Sequence, residues 1–169
     1  LTLVIKPVSS ACNLRCDYCY NADLGVNRVC ANKVMSRSVL EAIIQRFLEV
    51  EQPKARFIWH GGEPLLARLA FYRDVLSFQR ELSDTLNVER QIVNSIQSNG
   101  TLIDESWAEF AATSEFKFGI SLDGPARIHN KFRHYPDGTG SFADTMRGIE
   151  LLLDRGVHVG IGAVVSTES

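Results

Sequence analysis

The sequence contains no long apolar run. Nowhere does it offer the ~20 consecutive apolar residues that a membrane-spanning helix needs. It has no surplus of either charge: 18 Lys and Arg stand against 20 Asp and Glu, a formal net charge of −2. So nearly neutral a chain has no general attraction for nucleic acid or for an anionic membrane, and neither is expected as a partner. Leu1 to Pro7 lacks a basic region, an apolar stretch and a small-residue cleavage site, so it does not read as a signal peptide. It also lacks an initiator Met, and the chain reads as a segment of something longer. Cysteine is scarce, with four in 169 residues. A disulfide framework would spread its cysteines to staple distant segments of a small secreted domain. Here Cys12, Cys16 and Cys19 are bunched, with Cys30 beyond them. Without a secretion signal, a reducing cytoplasm is the expected compartment.

What remains is an ordinary globular composition. Hydrophobic residues make up 45% and charged residues 22%, which excludes disordered, collagen-like and low-complexity classes. A chain of this length buries roughly two-thirds of its unfolded surface and supports a single domain core. Strand-like and helix-like stretches alternate along it. Strands are expected at Thr2–Lys6, Arg56–His60, Gln91–Ser98, Lys117–Leu122 and Val157–Val165. A capping box at Ser38 and Glu41 opens the first helix, with Val39, Ile43, Phe47 and Val50 on its apolar stripe. Leu65–Leu82 forms the second, with Leu69, Tyr72, Leu76 and Gln79 on one face. Asp104 caps a third helix through Thr113, and Ser141–Asp154 forms a fourth, ended by Gly156. This alternation predicts right-handed βαβ units and a parallel sheet.

The strands carry a second signal. Lys117, Gly119, Ser121 and Asp123 share one strand face, and Phe118, Ile120 and Leu122 share the other. Ser95, Gln97 and Asn99 share a face, and His158, Gly160 and Gly162 do the same. Parallel strands covered on both faces read as nearly continuous apolar runs. One polar or glycine face points instead to a curved sheet, helices outside and a wet, ligand-filled inside. The fold class is therefore α/β, a partial (βα) barrel of about five steps.

Three cysteines in the loop after the first strand carry the chemistry. Thiolates converge on soft ions and iron–sulfur clusters. A cubane cluster has four irons, so three protein ligands leave one iron open to an external molecule. Two other readings stay open. One is a structural zinc site completed by Cys30 or a His, in a non-catalytic binding module. The other is a redox pair of Cys16 and Cys19, which leaves Cys12 idle.

Cys12-Asn13-Leu14-Arg15-Cys16-Asp17-Tyr18-Cys19-Tyr20 resembles the cluster loop of the radical S-adenosylmethionine (SAM) enzymes. Trp59-His60-Gly61-Gly62-Glu63-Pro64-Leu65 resembles their glycine motif. Gln97-Ser98-Asn99-Gly100-Thr101-Leu102 and Ser121-Leu122-Asp123-Gly124-Pro125 resemble later motifs of one subgroup. Together with Ile128-His129-Asn130 and Arg133, they are similar to the anaerobic sulfatase-maturating enzymes and related peptide-modifying maturases. The resemblance implies that residues 1–169 are the N-terminal part of a radical SAM core. It implies a [4Fe–4S] cluster on Cys12, Cys16 and Cys19, with further clusters possible outside this segment. It implies SAM on the open iron, reductively cleaved to a 5′-deoxyadenosyl radical. Tyr18 would contact the adenine side of SAM. Gly62 would contact SAM, Glu63 would lie near its methionine amine, Ser121 would hydrogen-bond its methionine end and Arg133 would pair with its methionine carboxylate. The implied partners are a protein or peptide substrate and a reductant such as flavodoxin or ferredoxin. The implied reaction is conversion of a sulfatase Cys or Ser to formylglycine, the alternative being modification of a ribosomally made precursor peptide.

Duller readings stand beside these roles. Asp123-Gly124-Pro125 is a sufficient turn sequence by itself. Arg133 stands in a basic stretch with Lys131 and His134, which a solvated loop also explains. His60 reads equally as a buried, satisfied histidine and as a substrate contact. Cys30 reads as a free thiol, and Trp59 and Trp107 as packing.

Overall fold

The computed structural model describes residues 1–21, 34–114 and 116–167. Cys30 therefore lies outside the described residues. The element order is β1 (Thr2–Ile5), α1 (Arg37–Glu49), β2 (Lys54–Trp59), α2 (Arg68–Thr85), β3 (Gln91–Ser98), α3 (Glu105–Ser114), β4 (Lys117–Ser121), α4 (Ala126–Phe132), α5 (Phe142–Leu153) and β5 (Val159–Gly162). All four strand pairings are parallel, and the sheet order is β1-β2-β3-β4-β5. Right-handed crossovers between successive neighbours put α1, α2, α3 and α5 on one side of the sheet, where they share a core with it. The result is an α/β partial barrel, as the strand–helix alternation predicts.

On β2, β3 and β4 the two sheet faces divide as the period-two reading expects, whereas Ile161 on the apolar face of the edge strand β5 is exposed. Ala55, Phe57 and Trp59 of β2, Ile96 of β3, and Phe118 and Ile120 of β4 are buried under the helices. Gly119 and Ser121 on the opposite face of β4 are only partly covered. The helix-side core is rich in aromatic rings. Trp59 stacks near-parallel on Phe57 and meets Phe71 and Tyr72 edge-on. Tyr72 in turn meets Trp107 and Phe116 edge-on. Edge-to-face packing suits the ring quadrupoles. The polar atoms around Trp59 are paired: Trp59 Nε1 donates to Asn94 Oδ1 at 3.1 Å, and Asn94 Nδ2 donates to Gln79 Oε1 at 2.8 Å. Trp59→Ala is expected to remove about 3–5 kcal/mol of stability, readable as a lowered denaturant midpoint.

Three local expectations need correction. Helix α1 starts two residues early, with Ser36 as N-cap accepting from the Val39 N–H. Its buried stripe is Leu40, Ile44, Phe47 and Leu48, while Val39 and Val50 are exposed. Two apolar stripes compete on this helix, and the one with the larger side chains wins the core. The stretch after the glycine motif does not open directly as α-helix. Pro64–Ala67 forms a 3-10 turn, capped by Glu63, before α2 begins. Helix α4 was hidden behind Asp123-Gly124-Pro125, which reads as a turn; Pro125 is its extended N-cap residue, and Ala126–Phe132 follows as helix.

Candidate cofactor site at the mouth of the barrel

Functional sites in parallel α/β folds lie at the carboxyl ends of the strands. A cavity of about 360 Å³ sits there. Its lining includes Cys12, Cys16, Tyr18 and Cys19 from the loop after β1, His60 and Gly62 after β2, Gln97, Ser98 and Asn99 at the end of β3, Ser121 of β4, and Arg133 after α4. This volume is within the ordinary range for small-molecule sites.

The cysteine loop is fastened on two sides. Towards β3, Asn13 Nδ2 donates to Thr101 Oγ1 at 2.8 Å, and Asn99 Nδ2 donates to Asn13 Oδ1 at 2.9 Å. Towards the segment after α4, the Arg15 N–H donates to the His134 carbonyl at 2.8 Å and the Asp17 N–H to the Phe132 carbonyl at 3.0 Å. His134 Nε2 lies 3.0 Å from Asp17 Oδ1. His134 is thus a structural clamp rather than a solvated neighbour of Arg133.

Cys12, Cys16 and Cys19 are not disulfide-bonded. Burial pushes the Cys12 thiol up to about 12, partly opposed by the Leu14 N–H that donates to its sulfur. A thiolate there needs a compensating positive centre, as a metal provides. Among the described residues, no three His, Cys, Asp or Glu side chains converge closely enough to hold one metal ion. The three thiols share a cavity without meeting at a point.

Gly62 has φ +51°, and its placement follows from the cysteine loop. A Cβ there would stand 1.9 Å from the Ala11 carbonyl oxygen. The next residue's N–H donates to that same oxygen at 2.6 Å. The glycine lets the loop that carries Cys12 rest directly on the turn after β2.

Glu63 is brought near but does not line the cavity. Fully buried, its carboxylate accepts from the Leu65 N–H at 2.9 Å, Ser98 Oγ at 2.9 Å and the Asn99 N–H at 2.8 Å. Desolvation raises it to about 7, against the pull of those three donors. It ties the ends of β2 and β3 together behind Gly62. His60 lines the cavity, and its Nδ1 accepts from the Gly61 N–H; burial, then the nearby Lys6, lower its basicity.

Ser121 faces inward and its Oγ accepts from Gln97 Nε2 at 3.4 Å. Arg133 also reaches the cavity, but its guanidinium already holds a partner. Nε donates to Asp123 Oδ2 at 2.8 Å and Nη2 to Asp123 Oδ1 at 3.1 Å. Tyr18 donates its hydroxyl to the same carboxylate. Asp123, placed in the sequence on the polar face of the fourth strand and in a turn motif, is the polar centre of this corner. Asn99, Asn21 and Ser10 also belong to the lining. The polar face of β3 pointed to Asn99; no sequence signal marked Ser10 or Asn21.

Comparison with known proteins follows the same lines. The family model of the radical SAM superfamily matches residues 7–168. A cysteine-type anaerobic sulfatase-maturating enzyme of Clostridium perfringens (strain 13 / Type A) is 41% identical over all of this chain and 45% of its own length. A serine-type anaerobic sulfatase-maturating enzyme of Bacteroides thetaiotaomicron is 36% identical over 98% of this chain and 40% of its own. A solved structure described as native anSMEcpe with bound AdoMet and Cp18Cys peptide superposes with a TM-score of 0.87 at 38% identity, covering 99% of this chain and 44% of that one. The chain thus spans under half the length of these relatives.

Proposed function

The chain belongs to the radical SAM superfamily, and from that premise we propose that it is the core of an enzyme that oxidises a protein or peptide side chain, as a sulfatase maturase converting Cys or Ser to formylglycine. One observation carries the reading: three reduced thiols of a single loop line the same cavity as Ser121 and Arg133. Thiols that share a cavity without converging on a point suit a polynuclear cluster better than a single zinc ion. Such a [4Fe–4S] cluster, when bound, supplies the electron that splits the carbon–sulfur bond of SAM.

The chain's own residues do the binding and positioning. Cys12, Cys16 and Cys19 would hold the cluster and leave it one position for SAM. Ser121 and the outward N–H groups of Arg133 receive the methionine end, while Tyr18 flanks the adenine side. Gly62 seats the ligand loop, and Glu63 supports it from behind. A flavodoxin or ferredoxin is the proposed reductant. The cytoplasm, which keeps thiols reduced, is the proposed compartment. Among the described residues no helix is long and apolar enough to cross a membrane.

The test is anaerobic reconstitution of the full-length protein, with iron and acid-labile sulfide measured, followed by equilibrium binding of SAM. Arg133→Ala and Ser121→Ala are each expected to keep the iron. Arg133→Ala removes a charge-assisted hydrogen bond worth about 1.5–3 kcal/mol, a roughly 10- to 150-fold loss of SAM affinity. Zinc in place of iron, or unchanged affinity in both variants, would sink this assignment.

A further inference from the structure

The carboxylate of Asp123 accepts four hydrogen bonds. Oδ2 takes the Tyr18 hydroxyl and Arg133 Nε, and Oδ1 takes Arg133 Nη2 and, at 2.9 Å, the Val164 N–H. A carboxylate has about four lone-pair sites, so Asp123 is saturated. Its donors come from the ligand loop, the segment after α4 and the stretch after β5. The ion pair with Arg133 is nearly dry, with 1% of the Asp123 side chain and 11% of the Arg133 side chain exposed. The guanidinium also lies over the Tyr18 ring, 5.3 Å from its centroid. Tyr18 stands between Cys16 and Cys19, so whatever holds its ring holds that part of the ligand loop.

We infer that Asp123 is a positioning residue for the cofactor site. It binds Tyr18 and Arg133 into one unit, keeps the Cys16–Cys19 stretch folded over the cavity, and sets which N–H groups of Arg133 remain for an incoming carboxylate. A bidentate pair fixes the plane of the guanidinium as well as its place. Two of its five N–H groups face Asp123, and the others are left for the cavity and its surroundings. The second half of this inference rests on the proposed SAM site; the first half does not.

Two variants of the full-length protein test it, Asp123→Asn and Tyr18→Phe. In cluster-free protein, each cysteine is alkylated with iodoacetamide and its rate followed by mass spectrometry. Cys12 is anchored elsewhere, by the Leu14 N–H at 3.4 Å and by Asn99 Nδ2 at 3.9 Å. Asp123→Asn is therefore expected to speed Cys16 and Cys19 about tenfold, the scale of one charge-assisted hydrogen bond, and to leave Cys12 unchanged. Tyr18→Phe, which removes one hydroxyl, should give the same pattern more weakly. A general loss of stability would speed all three thiols together, and that result would overturn the inference, as would unchanged rates in both variants. In reconstituted protein, Asp123→Asn is expected to weaken SAM binding about tenfold with iron retained; unweakened binding would overturn the role assigned toward Arg133. Wild-type protein that binds no SAM would remove the proposed function, while the alkylation pattern would still decide whether the clasp exists.

Discussion

Replacing Cys12, Cys16 or Cys19 with alanine is expected to abolish iron retention and SAM cleavage in each case. The reason is the poverty of the lining in alternative ligands. Among the described residues, the cavity wall holds no other Cys, no Asp and no Glu, and its one histidine is His60, whose Nδ1 already accepts from a backbone N–H. A cluster held by three thiolates cannot recruit a replacement when one is lost. Iron and sulfide content after anaerobic reconstitution gives the primary readout, and 5′-deoxyadenosine release under reducing conditions gives the second. Cys30→Ala is the comparison. It should keep both the iron and the reaction, because Cys30 matches no ligand position of the cluster loop. Iron lost on Cys30→Ala, or kept on Cys16→Ala, would show that the ligand set is wrong.

Gly62→Ala should be the most damaging single methyl group that can be added at this site. The left-handed backbone at φ +51° costs an L-residue about 1–2 kcal/mol before any contact is counted. The new Cβ would then sit 1.9 Å from the Ala11 carbonyl oxygen, which is main chain and cannot rotate away. Relief requires lifting the loop that carries Cys12, and breaks the Glu63 N–H bond to the same oxygen. A loss above about 2 kcal/mol lowers the Tm by more than roughly 4–8 °C in a chain of this size. The iron content should fall with it. Gly138→Ala supplies the contrast. Its φ is +88° but a Cβ there meets nothing within 4 Å, so the backbone cost stands alone and iron is retained. Equal melting temperatures for the two variants would dispose of the steric argument.

The parallel order of strands and the inside–outside division of their faces were legible because period-two patterning and βαβ handedness are local rules with few solutions. Strand β3 falls where it was expected to the residue. Cys12, Cys16, Cys19, Tyr18, Gly62, Ser121 and Arg133 were singled out from short motifs, and all seven line one cavity of the structure. Glu63 was assigned to the ligand side, yet it faces inward to Ser98 and Asn99. Sequence motifs report proximity, not which way a side chain turns. Asp123 was placed on the polar strand face with Ser121, but its role there was not legible. Its partners lie 105 positions before it, 10 after it and 41 after it, so no local pattern names them. The α1 stripe failed for a different reason. Two sets of apolar residues satisfy the same helical period, and the sequence alone does not say which of them meets the sheet.

The clamp between Asp17 and His134 joins residues 117 positions apart, and it bears on how the protein is made. A ribosome adding roughly 5–20 residues per second needs roughly 6 to 23 s to cross that interval. Throughout it the thiol-bearing loop has been made ahead of the segments that fasten it: Asn99, Asp123, Phe132 and His134 all come later. β1 can await β2 without harm, but three neighbouring thiols on an unfastened loop can be oxidised or capture stray metal. The loop gains its fastenings only once the residues after α4 have emerged, and until then a reducing, metal-poor surrounding protects its thiols.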